Sequence, residues 1–394
     1  MGNIINNTPK YSYNDIMVVP AVISNIEHRA ECNPYDENGM LPLFTAPMDS
    51  VVGLSNFKMF EEHRIIPILP RTENLIDRLE YSTNGKWAAF SLQEFEAHFT
   101  KNNLFNKKTD EPIRALIDIA NGHVTCLYEL VRNSKKIYGD NIKIMVGNIA
   151  NPETYRVCVE SGVDFVRCSV GTGAGCITAS NTSIGYPVAS LINEISKIKE
   201  ELIERGANKD KLTKIIADGG IRNFSDIIKA LALGSDYVMI GSVFAKMLES
   251  AALKVTTRDP ISKIKFLRLP IERYEDIKYE NKCWYGKYTD EFISEMKERG
   301  HTTDKEYKLI GTIYAKFYGM ASKAGQIAMK GKKVHTSEGI EKTLEVTYKM
   351  STWVENFTDY MRSAMSYTNS KNLDDFRKSN VVVISNNTYN SINK

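Results

Sequence analysis

The chain has 394 residues, of which 42% are hydrophobic and 25% are charged, and its formal net charge at pH 7 is +3. This composition is typical of a globular protein and argues against disorder, and the near balance of charge gives no indication of a nucleic-acid partner. The sequence contains no run of about 18 apolar residues and no charged leader followed by an apolar segment. We therefore expect neither membrane insertion nor secretion.

The six cysteines show no Cys-x-x-Cys spacing, so the sequence predicts neither a zinc ribbon nor a thioredoxin-like motif. Unpaired thiols are typical of a reducing compartment, and we expect a cytoplasmic protein. Free cysteine is among the most buried residue types. For that reason Cys126, Cys158 and Cys168 are expected to be packing residues.

Eight short runs with strand character recur along the chain, and most are separated by roughly 20 to 30 residues that contain a helical pattern. Two of the helical patterns span residues 153–161 and 226–233. Eight units of strand and crossover helix favour an α/β fold with a closed (β/α)8 TIM barrel over an open doubly wound sheet. The runs are residues 43–46, 65–69, 87–91, 113–118, 142–147, 165–169, 215–218 and 237–241.

Polar residues and glycines follow five of these runs, where a barrel of this type carries its working face. They are Asp118-Ile-Ala-Asn-Gly122, Gly147-Asn148, Gly171-Thr-Gly-Ala-Gly-Cys-Ile-Thr178, Asp218-Gly-Gly220 and Gly241-Ser242. Glycine pairs beside strand ends and helix starts are suited to binding phosphate through backbone amides. Each alone has the simpler interpretation of an ordinary turn, whereas five on one face predict a ligand site.

The segment that contains Cys176 has glycines at positions 171, 173 and 175. These glycines let the backbone turn tightly around an ion or a ligand. A thiol in such a loop is a candidate nucleophile, and a buried structural cysteine is the alternative. The loop does not fit a dinucleotide fingerprint, because no acidic residue at the end of a second strand follows at the usual distance.

Two segments interrupt the rhythm of strands and helices. Residues 252–309 follow the eighth run and would project from the working face as a lid or a subunit contact, within a catalytic domain of residues 1–378. Residues 379–394 form a polar tail with a short apolar run at 381–384, and we expect the Asn-rich end of this tail to be flexible or to dock on a neighbouring molecule.

Taken in order, these motifs resemble the IMP dehydrogenase/GMP reductase family, whose members act in purine nucleotide interconversion on a (β/α)8 barrel. The resemblance covers most of the chain. Besides the motifs above, it includes Tyr13-Asn-Asp-Ile-Met-Val-Val-Pro20, Ala46-Pro-Met-Asp49, Gly147-Asn-Ile-Ala150, Gly185-Tyr-Pro187, Phe317-Tyr-Gly-Met320, Ser337-Glu-Gly339 and Arg362-Ser363.

The resemblance leaves the direction of the reaction open. A dehydrogenase would need a mobile flap with an adjacent Arg-Tyr pair to activate water, and no such pair occurs between Met320 and Glu338. That short connection and Phe317-Tyr-Gly-Met320 are similar to the reductases, so NADPH-dependent conversion of GMP to IMP and ammonia is the favoured reading. Ala46-Pro-Met-Asp49 is more similar to the dehydrogenases, which oxidise IMP to XMP with NAD. A purine-nucleotide-binding protein without catalysis is a third alternative.

In the reductase reading, the resemblance implies that Cys176 attacks C2 of the guanine ring, while Thr178 and Glu338 deliver the proton to the departing ammonia. An ordinary strand-end hydroxyl remains the alternative for Thr178. The implied substrate contacts are Gly219, Gly220, Gly241 and Ser242 for the phosphate, Asp218 for the ribose, Gly319, Met320 and Ala321 for the base, together with Ser337 and Gly339.

The resemblance also implies a nicotinamide cofactor, a K⁺ ion and a homotetramer. Arg29 is a candidate partner for the 2′-phosphate of NADPH, although a surface arginine is the simpler reading. The K⁺ ion would lie on the backbone carbonyls of Gly171, Gly173 and Cys176. Ala179 and His335 depart from the residues that the family usually has at these positions. The implied cofactor contacts are His28, Arg29, Asp118, Ile119, Ala120, Val170, Gly171, Ser363 and Ser366.

Overall fold

The computed structural model describes residues 8–101, 111–256, 267–269, 271–300, 302–330 and 339–392. A short strand, β1 (Ile16–Val18), precedes eight strands that form one parallel sheet. All eight predicted runs are confirmed as strands. They are β2 (Leu43–Thr45), β3 (Ile68–Leu69), β4 (Trp87–Phe90), β5 (Ile113–Asp118), β6 (Ile142–Ile149), β7 (Phe165–Cys168), β8 (Lys214–Asp218) and β9 (Tyr237–Ile240).

The eight strands close into a barrel. Their order is β2-β9-β8-β7-β6-β5-β4-β3, and a parallel bridge between Phe44 and Ile66 joins the two outer strands. The Thr45 amide donates to the Ile66 carbonyl at 3.0 Å, and the Ile66 amide donates to the Leu43 carbonyl at 2.9 Å. These contacts confirm the predicted (β/α)8 TIM barrel.

Helices connect the barrel strands, as the alternating pattern predicts. The predicted helices at 153–161 and 226–233 correspond to α5 and α8. α5 ends at Gly162, which has a left-handed φ of +79°, and the Asn223 side chain caps the first turn of α8. The helices are α1 (Phe57–Glu62), α2 (Leu75–Thr83), α3 (Leu92–Glu96), α4 (Thr125–Tyr138), α5 (Thr154–Ser161), α6 (Thr178–Thr182), α7 (Val188–Glu204), α8 (Phe224–Ala232) and α9 (Ser242–Ala245).

The barrel interior is filled by an aromatic layer. Phe44, Trp87, Phe165 and Tyr237 pack edge to face or tilted, with ring centroids 5.1–6.0 Å apart. Three of these residues begin their strands, so the layer lies toward the amino-terminal end of the barrel. Alternate residues of a strand share a face, so the next inward positions lie one layer closer to the carboxyl-terminal end. A polar layer can therefore stand above the aromatic one.

The segment after β9 builds two antiparallel sheets instead of a simple loop. One has the order β11-β10-β15-β16 and the other the order β12-β13-β14. The two sheets share a core in which the Trp284 indole donates to the Val346 carbonyl at 2.8 Å. The elements are β10 (Lys254–Thr256), β11 (Leu267–Arg268), β12 (Tyr274–Glu280), β13 (Cys283–Tyr288), α10 (Asp290–Glu298), β14 (Lys308–Gly311), β15 (Ile313–Tyr318), α11 (Lys323–Lys330) and β16 (Glu341–Glu345).

The remaining elements are α12 (Met350–Tyr367), α13 (Leu373–Phe376), β17 (Val381–Val383) and α14 (Asn386–Ile392). β17 pairs antiparallel with β1, with Met17 opposite Val382. The apolar run of the tail thus completes a two-stranded sheet with β1 of its own chain.

The described residues contain no helix that is long and apolar enough to cross a membrane. All six cysteines are free thiols. Cys158 and Cys168 are buried, as expected, but Cys126 is exposed in the first turn of α4. Its predicted packing role is wrong, because its position on the amphipathic helix faces outward.

Candidate active site

Cys176 lies in the loop of residues 169–177 between β7 and α6, which we call the cysteine loop. Gly171 adopts a φ of +82°, and a β-carbon there would fall against Ala179, so the turn requires glycine. The Cys176 amide donates to the Gly173 carbonyl at 2.9 Å. The half-buried Cys176 thiol donates to Thr178 Oγ1, with the sulfur and oxygen 3.3 Å apart. The loop thus brings a thiol and a hydroxyl together at the carboxyl-terminal end of the barrel.

Two glycines from outside the barrel pack directly on the cysteine loop. Gly339 forms an antiparallel bridge with Cys176, and the Ile340 amide donates to the Gly175 carbonyl at 3.0 Å. A β-carbon on Gly319 would lie 2.5 Å from the Gly175 carbonyl oxygen, so this approach requires glycine. Met320 and Ala321 continue from Gly319 toward α11. Ser337 and Glu338 lie outside the described residues.

The turn after β8 contacts the same loop. The Gly220 amide donates to the Thr172 carbonyl at 3.2 Å, and a β-carbon on Gly219 would lie 2.6 Å from Thr172 Oγ1. Both glycines have positive φ angles, +96° for Gly219 and +76° for Gly220. The structure therefore places Gly219 and Gly220, with the adjacent Asp218, beside the cysteine loop, although they lie some 40 residues further along the sequence.

The turn after β9 lies at the same end of the barrel, beside the loop after β2. A β-carbon on Gly241 would be 3.5 Å from Met48 Sδ, and Ser242 begins the short helix α9. Met48 belongs to the Ala46-Pro-Met-Asp49 motif. Two of the sequence motifs thus meet above the first and last barrel strands.

The sequence interpretation missed Arg167, a buried arginine that joins two candidate binding residues. Arg167 Nη1 donates to Asp118 Oδ1 at 2.6 Å, and Arg167 Nε donates to Asp218 Oδ2 at 3.0 Å. Asn148 Nδ2 donates to the same Asp218 oxygen at 2.7 Å. Burial alone would lower the pKa of Arg167, but the two carboxylates outweigh burial and raise it. We call Asp118, Asn148, Arg167 and Asp218 the arginine network.

A second missed pair is Asp49 and Tyr318. The Tyr318 hydroxyl donates to Asp49 Oδ2, while Asp49 Oδ1 is buried and accepts no hydrogen bond from the described residues. Burial raises the pKa of the Asp49 carboxyl, and the bond from Tyr318 offsets part of that rise. Tyr318 directly precedes Gly319, so this pair lies next to the contact with the cysteine loop.

The candidate cofactor residues fall into two groups. Asp118, Ile119 and Ala120 follow β5, and Val170 and Gly171 begin the cysteine loop, so all five lie at the carboxyl-terminal end of the barrel. His28, Arg29, Ser363 and Ser366 gather elsewhere, around the second half of α12. Arg29 forms an exposed ion pair with Asp359 at 3.1 Å.

The second group is separated from Cys176 by most of the length of α12. The backbone amide of Met350, the first residue of α12, donates a hydrogen bond to the Glu249 side chain, which follows β9 in sequence. Ser363 lies about 20 Å further along the helix. The helix runs back toward the amino-terminal ends of the strands, as barrel helices do. The second group therefore lies near the far end of α12, about 20 Å along that helix from Met350.

Comparison with known proteins places this site in a family. A model of the IMP dehydrogenase / GMP reductase domain matches residues 92–266. The chain is 25% identical over 390 residues to a GMP reductase of Shouchella clausii (strain KSM-K16), covering 96% of this chain and 97% of that protein. It is 30% identical over 250 residues to a GMP reductase of Staphylococcus aureus (strain JH9), covering 61% and 72% respectively. The chain belongs to the IMP dehydrogenase/GMP reductase family.

Members of the IMP dehydrogenase/GMP reductase family are NAD(P)-dependent oxidoreductases that bind purine nucleotides. The matched range contains the cysteine loop and the turns after β8 and β9, whereas Gly319 and Gly339 lie outside it. A GMP reductase of Streptococcus pneumoniae (strain JJA) is 29% identical over 268 residues, covering 63% of this chain and 73% of that protein. The family model thus covers the part of the barrel that carries Cys176.

Proposed function

We propose that this chain is a GMP reductase, which converts GMP to IMP and ammonia with NADPH as the hydride donor. The observation that carries the proposal is the contact of 3.3 Å between the Cys176 thiol and the Thr178 hydroxyl. The names of the relatives support this direction, as does the absence of an Arg-Tyr pair between Met320 and Glu338 in the sequence.

In this reaction the sulfur of Cys176 bonds to C2 of the guanine ring, and the bond from C2 to the amino group breaks. Thr178, relayed with Glu338, supplies the proton that leaves with ammonia. Hydride from the nicotinamide then reduces the thioimidate at C2, and the bond from C2 to sulfur breaks to release IMP. Thr178 is well situated for the first proton transfer, because its oxygen already accepts the thiol hydrogen bond.

The proposed substrate contacts surround the cysteine loop. Gly219, Gly220, Gly241 and Ser242 surround the phosphate. The backbone amides of Gly219, Gly241 and Ser242 are the proposed donors, because the Gly220 amide already donates to the Thr172 carbonyl. Asp218 accepts hydrogen bonds from the ribose hydroxyls. The base lies against Gly319, Met320 and Ala321, with Ser337 and Gly339 beside it. The close approaches of Gly319 to Gly175 and of Gly219 to Thr172 support this arrangement, since both bring their segments onto the cysteine loop.

The nicotinamide end of the cofactor is proposed to lie on Asp118, Ile119, Ala120, Val170 and Gly171. His28, Arg29, Ser363 and Ser366 lie around the second half of α12, and they are assigned to a cofactor molecule held by a neighbouring copy. The homotetramer implied by the resemblance would supply that copy. Cytoplasmic location and the use of residues 252–309 as a lid or subunit contact also stay predictions.

A K⁺ ion is proposed on the carbonyls of Gly171, Gly173 and Cys176. Within the described residues no amide donates to the carbonyls of Gly171 and Cys176, and no cluster of three His, Cys, Asp or Glu side chains forms a competing metal site. Backbone carbonyls suit a weakly hydrated monovalent cation better than a divalent metal that prefers carboxylates. The ion would hold the cysteine loop in the conformation that presents the thiol.

The direct test is to incubate the purified protein with GMP and NADPH and to measure NADPH consumption and ammonia release. Equal rates of the two support a GMP reductase. Turnover of IMP with NAD⁺ but none of GMP would instead identify an IMP dehydrogenase. Binding of purine nucleotides without turnover of either substrate would favour the non-catalytic alternative.

A further inference from the structure

The arginine network spans four neighbouring barrel strands at the carboxyl-terminal end. Asp118 ends β5, Asn148 is on β6, Arg167 is on β7 and Asp218 ends β8. Asp118, Arg167 and Asp218 each lie two residues beyond an interior residue of the core below, namely Leu116, Phe165 and Ile216. Residues two apart on a strand share a face. The three charges therefore form a polar layer directly above the aromatic one.

Gly147 makes the reach of Arg167 across this layer possible. Gly147 pairs with Asp118 on one side and with Arg167 on the other, so it lies between them in the sheet. A β-carbon on Gly147 would lie 2.5 Å from the β-carbon of Arg167. The missing side chain lets a guanidinium on β7 bond to a carboxylate on β5, two strands away.

Each aspartate uses one oxygen for the arginine and has a second one available. Arg167 bonds to Asp118 Oδ1 and Asp218 Oδ2, and no described residue donates to Asp118 Oδ2 or Asp218 Oδ1. The Asp118 and Asp218 side chains are 18% and 15% exposed, whereas that of Arg167 is 10% exposed. Each carboxylate thus has one oxygen bonded to the buried guanidinium of Arg167 and a second oxygen available to a ligand.

The geometry points to Arg167 as a positioning residue that couples the nucleotide site to the cofactor site. This inference rests on the proposed function, in which Asp218 contacts the ribose and Asp118 contacts the cofactor. A ligand that fixes one aspartate also fixes the shared guanidinium, so the second ligand binds to a carboxylate that is already ordered. Each ligand therefore increases the affinity for the other.

The test measures the dissociation constant of GMP by calorimetry without and with saturating NADP⁺, a pair that cannot react with each other. In the wild type we expect NADP⁺ to increase the affinity for GMP by about tenfold, with the same factor for the reciprocal titration. In Arg167→Lys the factor falls below about twofold, because one ammonium keeps the charge but cannot bond to both carboxylates as the planar guanidinium does.

Asn148→Ser is the matched control, since Asn148 bonds to Asp218 but not to Asp118. It weakens GMP binding but keeps the coupling. Asp118→Asn is a second variant, which weakens the bond between Arg167 and Asp118 and leaves the bonds to Asp218 in place. It should lose the coupling, so it tests the inference if Arg167→Lys does not fold. Melting temperatures establish that each variant is folded. Full coupling in a folded Arg167→Lys or in Asp118→Asn, or no coupling in the wild type, overturns the inference.

The same titrations with IMP and NADPH, which also cannot react, separate this inference from the proposed function. If the chain turns over IMP but not GMP, the proposed function fails. The inference then stands if the IMP titrations show coupling that Arg167→Lys removes. It falls if no purine nucleotide binds.

Discussion

The Tyr318 hydroxyl donates a hydrogen bond to Asp49, and this bond joins residues 269 positions apart in the sequence. It connects the loop after β2 with the end of β15, directly before the glycine that packs on the cysteine loop. The bond uses only one carboxylate oxygen, and the other is buried without a partner among the described residues.

We expect Asp49→Asn to become progressively more stable than the wild type as the pH rises. Burial raises the pKa of Asp49 in the folded chain, so the folded protein binds the proton more tightly than the unfolded one. Proton binding by Asp49 therefore stabilises the folded protein fully at pH values below the pKa of Asp49 in the unfolded chain. This stabilisation is lost as the pH rises through the pKa of Asp49 in the folded chain. Asparagine does not titrate, so urea unfolding of the two proteins between about pH 4 and 8 measures the difference. If the difference in unfolding free energy between the two proteins is constant across that range, burial does not raise the pKa of Asp49.

Glu94 should show the opposite dependence on pH. Burial alone would raise its pKa, but the hydrogen bonds and charge of Arg78 outweigh burial and lower the pKa to about 2. The two side chains are 2.8 Å apart at Arg78 Nη2 and Glu94 Oε1. The stabilisation is present above the unfolded pKa of about 4.3 and is lost as the pH falls toward 2. Glu94→Gln should therefore lower the melting temperature at pH 7 and lower it less near pH 3. An equal loss at both values would rule out the ion pair as the cause.

Cys176→Ser should abolish turnover while GMP affinity changes by no more than about tenfold, because the phosphate and ribose contacts lie elsewhere. Steady-state assays and GMP titration measure the two effects. Exposed Cys126 provides the control. Cys126→Ser should keep full activity, and alkylation of Cys126 should be independent of GMP, whereas GMP should protect Cys176. Retained turnover in Cys176→Ser would exclude the covalent mechanism.

Glu338→Gln should slow deamination by about a hundredfold or more, because the amide keeps the shape but not the basic carboxylate. GMP binding should barely change. The hydride step, followed in reverse with IMP and oxidised cofactor, should be less affected, since it releases no amine. If the variant slows both steps equally, or neither, Glu338 is a structural carboxylate.

Replacing K⁺ with Na⁺ should lower kcat without unfolding the protein, because the smaller, more strongly hydrated ion fits the carbonyls of the cysteine loop less well. Activity is titrated with each chloride salt at constant ionic strength, and adding K⁺ back should restore it. Equal rates in both salts would contradict the proposed K⁺ site.

The strands of the barrel could be predicted from sequence because each is a short apolar run that recurs at a regular interval. The position of the turns around Cys176, Asp218 and Gly241 at one end of the barrel could then be predicted, since parallel barrel strands all end on the same side. Arg167 was missed because its partners are on β5 and β8, and the pairing depends on which strands are neighbours. The pattern did contain a signal, because Arg167 stands two residues after an inward-facing phenylalanine.

Other features depend on contacts that no local pattern encodes. The apolar run of the tail pairs with β1, at the opposite end of the chain, and Tyr318 bonds to Asp49 from beyond residues 252–309. The exposure of Cys126 follows from the rotation of α4 about its axis. Each of these contacts is set by tertiary packing, which overrides expectations based on residue type alone.

The pairing of β1 with β17 also constrains the order in which the molecule can be completed during synthesis. The backbone of Ile16–Val18 has no partner until Val381–Val383 has left the ribosome, when the rest of the barrel has already been translated. The nascent chain therefore carries an unpaired strand edge through almost the whole of translation, and such edges are templates for pairing with other chains. A messenger truncated before codon 381 would leave that edge open permanently, so the resulting polypeptide should aggregate even though it retains every barrel strand.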